Sequence, residues 1–333
     1  MKAAWYDRYG PADVLEIRDV PRPEPKDDEI LVQIFATSVT TADWRFRASK
    51  FPTIFWLAGR AMAGLFGPRK NVLGSEFAGR VVARGKAVTR FKGGDEVFGF
   101  STGLGANAEY ISVSEDSPVV KKPATVGYDE AAATPFGGQS ALAFLRDFAQ
   151  VQPSRKVLIA GASGGVGVWA VQIAKHLGAE VSAVTSTRNV DLVRSLGADH
   201  VIDYTKADFA ASDECYDLIF DTAGTTDFDQ AKHVLKPNGV FLPLEFGGRE
   251  IGQALLSKIT GGKRVIVGVS SDSREMLEYL AGLLETGEIR AVIDSQYPLE
   301  EIADAHRRVE SRHKRGSVIV TISPRALEVA KAA

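Results

Sequence analysis

One stretch of the sequence, KVLIAGASGGVGVWAVQIAKHLGA at residues 156–179, constrains the fold more than any other. It opens with a short continuous apolar run, which is typical of a strand buried on both faces. The spaced glycines Gly161, Gly164 and Gly167 follow, and an apolar sequence of helical length comes after them. Small residues let a backbone approach a pyrophosphate, whose oxygens the N–H groups at a helix start bind. The stretch therefore predicts a dinucleotide-binding loop, with a glycine turn that binds nothing as the alternative.

Apolar strand-like runs alternate with helical patterns over the residues that follow. The strand-like runs are EVSAVT, HVIDY, YDLIFDTAG, GVFLPLEF and KRVIVGVS, and the helical patterns lie around NVDLVRSLGA and DFDQAKHVLKPNG. Such alternation is typical of βαβ units, so we predict an α/β fold with a doubly wound parallel sheet. Beyond residue 270, two helical stretches lead to a closing strand, SVIVTI.

The first 125 residues have a different pattern. Short runs rich in β-branched and aromatic residues are separated by Gly, Pro, Asn and Asp, which favours strands and turns. These runs are EILVQIFATSV, FAGRVVARGKAV, DEVFGF and AEYISV. We predict an antiparallel, barrel-like β domain here. A chain of 333 residues is long for one core, which agrees with two domains.

Composition excludes several classes of function. A net charge of −2 disfavours a general binder of nucleic acid or acidic membranes, although local basic clusters are compatible with it. The single cysteine, Cys215, forms no disulfide within the chain, and the N-terminal sequence lacks the apolar core of a secretory signal. The apolar run at residues 51–67 is too short to span a bilayer and contains Arg60. We therefore expect a cytoplasmic protein without an integral membrane segment.

Three segments together resemble one known family. They are GASGGVGVWAVQIAKHLGAEVSAVTSTRNVDLVRSLGADHVIDY, VLGSEFAGRVVARGKAVTRFKGGDEVFGF and TPFGGQSALAFL. They are similar to the medium-chain dehydrogenases/reductases, within them to the zinc-independent quinone oxidoreductase (zeta-crystallin-like) branch. The resemblance implies a GroES-like β-barrel catalytic domain at residues 1–125 and 271–333. It also implies a Rossmann cofactor domain at residues 126–270, with the active site in the cleft between the domains.

The resemblance and the glycine loop together assign a cofactor site. The expected cofactor-binding residues are Ser140, Gly161, Ser163, Gly164, Gly165, Val166, Gly167, Ser186, Thr187, Arg188, Tyr204, Thr222, Ala223, Leu244 and Lys314. Lys314 is included because the family returns the chain close to the cofactor at this point, where Lys314 and Arg315 are alternative candidates to contact a 2′-phosphate. The basic run around it, His306 to Arg315, is otherwise typical of a solvated helix face and turn.

The sequence TSTRN, at residues 185–189, favours NADPH over NADH. NAD-specific domains place an acidic residue at the end of the second strand, where it binds the ribose 2′-hydroxyl. No acid is present in TSTRN, while Arg188 would attract a 2′-phosphate and the hydroxyls of Ser186 and Thr187 would donate to it. A solvated residue at a helix start is the alternative interpretation of Arg188.

Zinc-dependent relatives carry a catalytic Cys in a stretch like SVTTAD and a His in a stretch like GSEFAG. Those positions hold Thr40 and Ser75, whose hydroxyls are poor zinc ligands, and Glu76 alone could not hold the ion. The third ligand and the cysteine-rich structural lobe are also missing. His176 and His306 lie in helical stretches, where we expect a solvated or capping role. We predict no catalytic metal.

A site without a Lewis acid favours conjugated substrates, because conjugation spreads the charge that hydride addition creates. We therefore predict an NADPH-dependent reductase of small hydrophobic quinones or α,β-unsaturated carbonyls. Thr40 and Thr41 are candidate hydrogen-bond donors, equally compatible with hydroxyls that bond their own backbone. The family usually has an Asn-like residue at the position of Thr40, so no proton donor is assigned. A metal-free alcohol or aldehyde dehydrogenase, or an NADPH-binding protein with little turnover, are the alternatives.

Two further expectations concern surfaces. The hydrophobic run KRVIVGV is predicted to be an edge strand, and the family commonly covers such an edge by forming a homodimer. Residues 51–67 allow three interpretations: a segment packed in the core, an apolar lid over the substrate, or a peripheral membrane contact.

Overall fold

The computed structural model describes residues 1–322, and these residues form two compact units. The first unit comprises Met1–Phe51, Trp56–Phe136 and the described residues from Asp272 onward. The second unit comprises Pro52–Phe55 and Gly137–Ser271.

The strands are, in chain order, β1 (Lys2–Trp5), β2 (Glu16–Asp19), β3 (Glu29–Val39), β4 (Glu76–Arg84), β5 (Glu96–Phe100), β6 (Tyr110–Ser114), β7 (Val119–Lys121), β8 (Lys156–Ala160), β9 (Glu180–Thr185), β10 (His200–Asp203), β11 (Tyr216–Asp221), β12 (Leu235–Pro243), β13 (Arg264–Val265), β14 (Ile293–Pro298) and β15 (Ser317–Thr321). The α-helices are α1 (Thr41–Ala48), α2 (Trp56–Ala63), α3 (Tyr128–Ala132), α4 (Pro135–Leu142), α5 (Gly167–His176), α6 (Val190–Ser195), α7 (Phe228–Ala231), α8 (Gly248–Thr260), α9 (Arg274–Thr286) and α10 (Ile302–Glu310).

The first unit is built on one mainly antiparallel sheet, in the order β14-β15-β3-β4-β5-β7, with β6 paired to β3. Strand β3 is central because it pairs with three neighbours, β4, β6 and β15. Its residues Ile30, Val32 and Ile34 belong to the main core cluster, and Leu31 between them is buried as well, so β3 is covered on both faces here. The predicted antiparallel β domain is confirmed by this sheet.

The second unit contains a six-stranded sheet in the order β10-β9-β8-β11-β12-β13, and all five pairings are parallel. The central strand β8 is flanked by β9 and β11, and its Val157, Leu158 and Ile159 are completely buried. A continuous apolar run suits this position because side chains on both faces are covered. The predicted doubly wound parallel sheet is confirmed.

Two local features differ from the predicted pattern. Within KRVIVGVS only Arg264 and Val265 pair as a strand, at the edge beside β12. Gly268 then lies so close to Phe148 that an added Cβ would be 2.5 Å from the ring, so packing replaces strand pairing. Strand β12 begins at Leu235, earlier than expected, because Asn238 adopts a left-handed φ of 66° at a register shift.

The expectation that His306 is solvated or capping is wrong, because the side chain is completely buried. In α10 the buried residues Ile302, Ala305, His306 and Val309 recur at intervals of three and four, which places His306 on the apolar face. Burial and the nearby charge of Arg47 lower the pKa of His306 to about 3.

Because His306 is buried in its neutral form, acid should destabilise the fold through this residue. Between pH 6.5 and about 3 the unfolded chain binds a proton that the folded chain does not. The unfolding free energy should then fall by about 1.4 kcal/mol per pH unit from this group as the pH is lowered. In urea titrations at several pH values, the unfolding free energy of His306→Leu should depend on pH less steeply than that of the wild type, by the amount just given. The exposed His176→Gln variant is the control, and equal slopes for wild type and His306→Leu would contradict the prediction.

Residues 51–67 form a short 3₁₀ turn, helix α2 and a following turn. Their large apolar side chains are exposed, so the interpretation as a segment packed in the core is wrong. The exposed ones are Ile54, Phe55, Trp56, Leu57, Met62, Leu65 and Phe66. Across residues 1–322, no helix has the length and apolarity needed to cross a bilayer.

Candidate active site

The predicted cofactor residues of the second unit meet at one edge of the parallel sheet. Gly161, Ser186, Tyr204, Thr222 and Leu244 each directly follow the last residue of β8, β9, β10, β11 and β12. The strand order runs from β8 outward through β9 and β10 on one side and through β11, β12 and β13 on the other. In open parallel sheets, ligands bind at the carboxyl ends of the strands where the order reverses. That switch point lies between β8 and β11.

The glycine loop between β8 and α5 has no room for side chains at two positions. Gly161 has a φ of 74°, and a Cβ there would lie 2.7 Å from the Cβ of Ala223. A Cβ at Gly167 would lie 2.1 Å from the carbonyl oxygen of Gly161. Helix α5 begins at Gly167, so its first N–H groups face the loop. The residues present therefore fit a pyrophosphate-binding cradle.

Ser163 joins this loop to the end of β9. Its hydroxyl oxygen accepts hydrogen bonds from Thr185 Oγ1 at 3.0 Å and from Asn189 Nδ2 at 2.9 Å. Asn189 Nδ2 also donates to Ser186 Oγ at 3.2 Å. The loop and TSTRN thus form one hydrogen-bonded structure. Sequence reasoning missed the role of Asn189, a buried polar residue whose position beside the strand end was the available signal.

An acidic residue lies beside TSTRN although none lies within it. Asp203, the last residue of β10, accepts a hydrogen bond from Thr187 Oγ1 at 2.6 Å, and Lys206 lies 3.4 Å from its carboxylate. The Thr187 hydrogen bond lowers the pKa of Asp203 to about 2. The hydroxyl proton of Thr187 is therefore directed to Asp203. Arg188 is exposed at the same tip.

Asp221 shapes the end of β11. Its buried carboxylate accepts hydrogen bonds from the N–H groups of Ala223, Gly224 and Thr226 at 2.9–3.0 Å. Burial raises the pKa of Asp221, and these bonds oppose the shift. The resulting tight turn holds Thr222, whose hydroxyl donates to the carbonyl of Ala160 at 2.8 Å, against the start of the glycine loop.

The remaining predicted residues of this edge are anchored by the same strand ends. The N–H of Leu244 donates to the carbonyl of Asp221 at 2.9 Å. Tyr204 continues the pairing of β10 with β9 through a 3.0 Å bond from its N–H to the carbonyl of Thr185, and its side chain is exposed. Ser140, on α4, lies with its hydroxyl 3.5 Å from that of Ser270.

In the first unit, Thr40 caps helix α1. Its hydroxyl donates to Asp43 Oδ2 at 2.7 Å and accepts from the N–H of Asp43, which forms a capping box. The Asp43 carboxylate is completely buried and also accepts from the N–H of Gly74 at 3.0 Å. Thr41, half-buried, is the first residue of the helix. The Thr40 proton is thus directed to Asp43 rather than outward, and a donor role for either threonine stays a prediction.

Glu76, at the start of β4, has a strongly perturbed environment. Its buried carboxylate accepts hydrogen bonds from the Ser38 hydroxyl and, at 2.5 Å, from the N–H of Phe136, and burial raises its pKa to about 8. Lys314 is half-buried, and its ammonium donates to the carbonyl of Gly316 at 2.6 Å. Burial lowers the pKa of Lys314 to about 8, and the charge of Glu76 opposes that shift. Contact between Lys314 and a 2′-phosphate stays a prediction.

The residues at the family's zinc positions do not fit the metal. Thr40 and Ser75 are buried hydroxyl residues, and the Thr40 oxygen is already the helix cap. Neutral hydroxyls are weak zinc ligands compared with the usual thiolate and imidazole. Within the described part of the chain, no three His, Cys, Asp or Glu side chains are grouped closely enough to bind a metal ion.

A GroES-like β unit and a parallel-sheet unit with a dinucleotide-binding edge define a two-domain nicotinamide-dependent oxidoreductase. Family models agree: residues 26–124 match the alcohol dehydrogenase GroES-like domain, and residues 196–320 match a family described as zinc-binding dehydrogenase. The chain belongs to the medium-chain dehydrogenase/reductase superfamily, in its quinone oxidoreductase branch.

Three relatives illustrate the likeness. The chloroplast envelope quinone oxidoreductase homolog of Arabidopsis thaliana is 34% identical over 96% of this chain and 98% of that protein. The NADPH-dependent alkenal/one oxidoreductase of the same plant is 32% identical over 96% and 79%. The solved quinone oxidoreductase of Coxiella burnetii has a TM-score of 0.85 at 30% identity and covers 97% of this chain and 99% of that one.

Proposed function

We propose that this enzyme is an NADPH-dependent reductase that transfers a hydride to a small hydrophobic quinone or α,β-unsaturated carbonyl. The proposal rests on two features of the same chain. The predicted cofactor residues follow the strand ends at one sheet edge, and hydroxyl residues stand at positions 40 and 75, where zinc-dependent relatives have metal ligands. Relatives named as quinone and alkenal/one oxidoreductases support the same substrate class.

The bound nicotinamide would supply the hydride, and this chain's residues would hold and orient the cofactor. Gly161, Gly164 and Gly167 leave space for the pyrophosphate, while Thr222 and Asp221 fix the turn beside them. Because a conjugated acceptor spreads its developing charge, hydrogen-bond donors suffice where an isolated ketone would need a Lewis acid. Glu76 and Lys314, with pKa values near 8, could hold a proton at neutral pH.

For the cofactor, we propose NADPH rather than NADH. Support comes from Arg188 at the tip of β9 and from the lack of an acid in TSTRN. The carboxylate of Asp203 would repel a 2′-phosphate, but it accepts a hydrogen bond from Thr187 and is paired with Lys206. The name of the alkenal/one relative agrees with NADPH.

The proposed function is tested by NADPH oxidation with a panel of quinones, a panel of enones and a panel of isolated aldehydes and ketones. Turnover of the first two panels and not of the third is expected. Preferential turnover of isolated carbonyls would instead indicate a metal-free alcohol or aldehyde dehydrogenase. Tight NADPH binding without turnover of any panel would indicate a nucleotide-binding protein.

We also propose that the protein is a homodimer formed through the edge strand β13 and helix α8 of the second unit. The proposal is supported by Leu255, Leu256 and Ile259 of α8, which are exposed in the single chain, and by exposed Val269 just after β13. Contiguous exposed apolar residues beside an open sheet edge favour an interface.

Light scattering should therefore give a mass of about twice the 35.8 kDa of the chain. The double variant Leu256→Glu, Ile259→Glu should be monomeric, because each carboxylate would be buried without a partner. Val82→Glu, at an exposed apolar site on β4, is the matched control and should stay dimeric. A monomeric wild type would refute the proposal.

We also propose residues 1–125 and 271–333 as the catalytic domain and residues 126–270 as the cofactor domain. Residues 323–333 of this assignment lie outside the described part of the chain. A cytoplasmic location is proposed from the single cysteine, Cys215, which is exposed and free, as a reducing compartment allows.

A further inference from the structure

The first unit carries an exposed apolar surface that the proposed reaction does not use. Trp56, Leu57, Met62, Leu65 and Phe66 are each at least 46% exposed, and Phe66 is exposed completely. They lie on α2 and the turn that follows it, and we call them the apolar ridge. Large apolar side chains that are grouped on a protein surface commonly mark an interaction site.

The apolar face of helix α2 is exposed to solvent. Its buried residues are the small Gly59 and Ala63, whereas Leu57, Ala58 and Met62 face outward without a polar side chain among them. The one charged residue of the helix, Arg60, bends back to donate to the carbonyl of Leu65 at 2.9 Å. Its guanidinium also lies 3.7 Å from the ring centre of Tyr9. The outward face of α2 is therefore entirely apolar.

The turn that presents Phe66 is held in place. The Tyr9 hydroxyl donates to the carbonyl of Gly64 at 2.8 Å, and the N–H of Arg69 donates to the carbonyl of Ala63 at 2.8 Å. Gly64 has a φ of 125°, and a Cβ there would lie 2.0 Å from the carbonyl oxygen of Gly67. Phe66 thus projects from a backbone with defined contacts.

The charged residues around the apolar ridge indicate the chemistry of its partner. Residues 44–75 contain no aspartate or glutamate and six basic residues, although the whole chain has a net charge of −2. The six are Arg45, Arg47, Lys50, Arg60, Arg69 and Lys70. Arg47 is buried, and it and Lys50 lie against the carboxylate of Glu310, so these two do not contribute to the basic border. Arg69 and Lys70 are exposed directly after the ridge. Apolar side chains that include Trp and Phe, bordered by basic residues, match the boundary between acyl chains and anionic headgroups.

We propose that residues 56–70 dock this protein reversibly on an anionic lipid bilayer, with the apolar ridge inserted and Arg69 and Lys70 at the headgroups. The docking does not depend on the proposed reaction, because it uses the ridge and the basic residues alone. It gives the enzyme direct access to substrates that dissolve in membranes.

Flotation with lipid vesicles tests the proposal. The wild-type protein should float with phosphatidylcholine vesicles that contain phosphatidylglycerol, and far less with phosphatidylcholine alone. Arg69→Glu with Lys70→Glu should lower the partition coefficient at least ~tenfold, and added salt should lower it in the wild type. Leu57→Ser with Phe66→Ser should lower it by a similar factor, because the inserted apolar area is lost. Trp56 fluorescence should shift to the blue on binding, and this shift should be missing in Trp56→Phe.

Two matched variants control for general effects of surface changes. Val82→Ser removes an exposed apolar side chain elsewhere in the first unit, and Lys92→Glu reverses an exposed charge there. Both should float like the wild type, and thermal unfolding should show every variant folded.

Absence of flotation with the folded wild type would overturn the proposal, as would flotation that the ridge and basic variants leave unchanged. A change in KM for a water-soluble apolar quinone without any flotation would assign the ridge to a substrate lid instead. Capture of a protein partner through the ridge, again without flotation, would likewise overturn it.

Discussion

Replacing Gly167 with alanine is expected to weaken NADPH binding at least ~tenfold and to destabilise the second unit by about 1–3 kcal/mol. The added Cβ would lie 2.1 Å from the carbonyl oxygen of Gly161 and 2.8 Å from the backbone of Ala162. Neither contact is with a flexible side chain, so the loop itself must move. A moved loop no longer offers its N–H groups to the pyrophosphate.

The measurement is a fluorescence titration with NADPH, together with urea unfolding of the same variant. Gly282→Ala is the matched control, because Gly282 lies within helix α9 and a Cβ there meets no atom within 4 Å. The control should keep its affinity for NADPH and gain up to about 1 kcal/mol of stability from better helix propensity. Unchanged affinity in Gly167→Ala would show that the loop does not bind the cofactor's phosphates.

Replacing Arg188 with alanine is expected to reduce the preference for NADPH over NADH by ~10–100-fold. A pair of unit charges 4 Å apart is worth up to about 4 kcal/mol at an effective dielectric of 20, before desolvation is subtracted. Arg188 is exposed, which reduces the gain further, so we expect an effect of about 1.4–2.7 kcal/mol. The loss should fall on kcat/KM with NADPH, while kcat/KM with NADH should change little.

The ratio of kcat/KM for the two cofactors, measured at low ionic strength, gives the result directly. Arg194→Ala, at an exposed arginine in the last turn of α6, is the control for a general change in surface charge. Asp203→Asn adds a second test, because removing that carboxylate should raise the preference for NADPH. Equal use of NADPH and NADH by the wild type would contradict the cofactor proposal.

The parts of the candidate cofactor site could be located from the sequence because each of them is local in sequence. The apolar run of β8, the glycines that follow it and the acid-free end of β9 are adjacent along the chain. Parallel strands bring their carboxyl ends to one edge, so a residue directly after each strand identifies that edge. The same reasoning could not find that Asn189 bonds Ser163 or that Thr187 bonds Asp203, because these contacts depend on which strands are neighbours.

Burial was the other property that local sequence did not reveal. His306 was expected to have a solvated or capping role in its helical stretch, yet α10 packs its i, i+3, i+4 face inward and His306 lies on that face. Of the three interpretations of residues 51–67, burial excludes one. An apolar segment was expected in the core as one interpretation, whereas the small residues Gly59 and Ala63 form its inner side and the large ones remain outside.

The sequence by itself determined the fold class and the family and predicted the cofactor loop, because strand patterns and glycine spacing are properties of neighbouring residues. Only the tertiary structure decided the environment of each charged group. It placed Asp203 beside Thr187 and directed the Thr40 hydroxyl to Asp43. It also raised the pKa of buried Glu76 to about 8 and lowered that of half-buried Lys314 to about 8. Electrostatic environment is set by distance and burial in three dimensions, and residues far apart in the chain supply both.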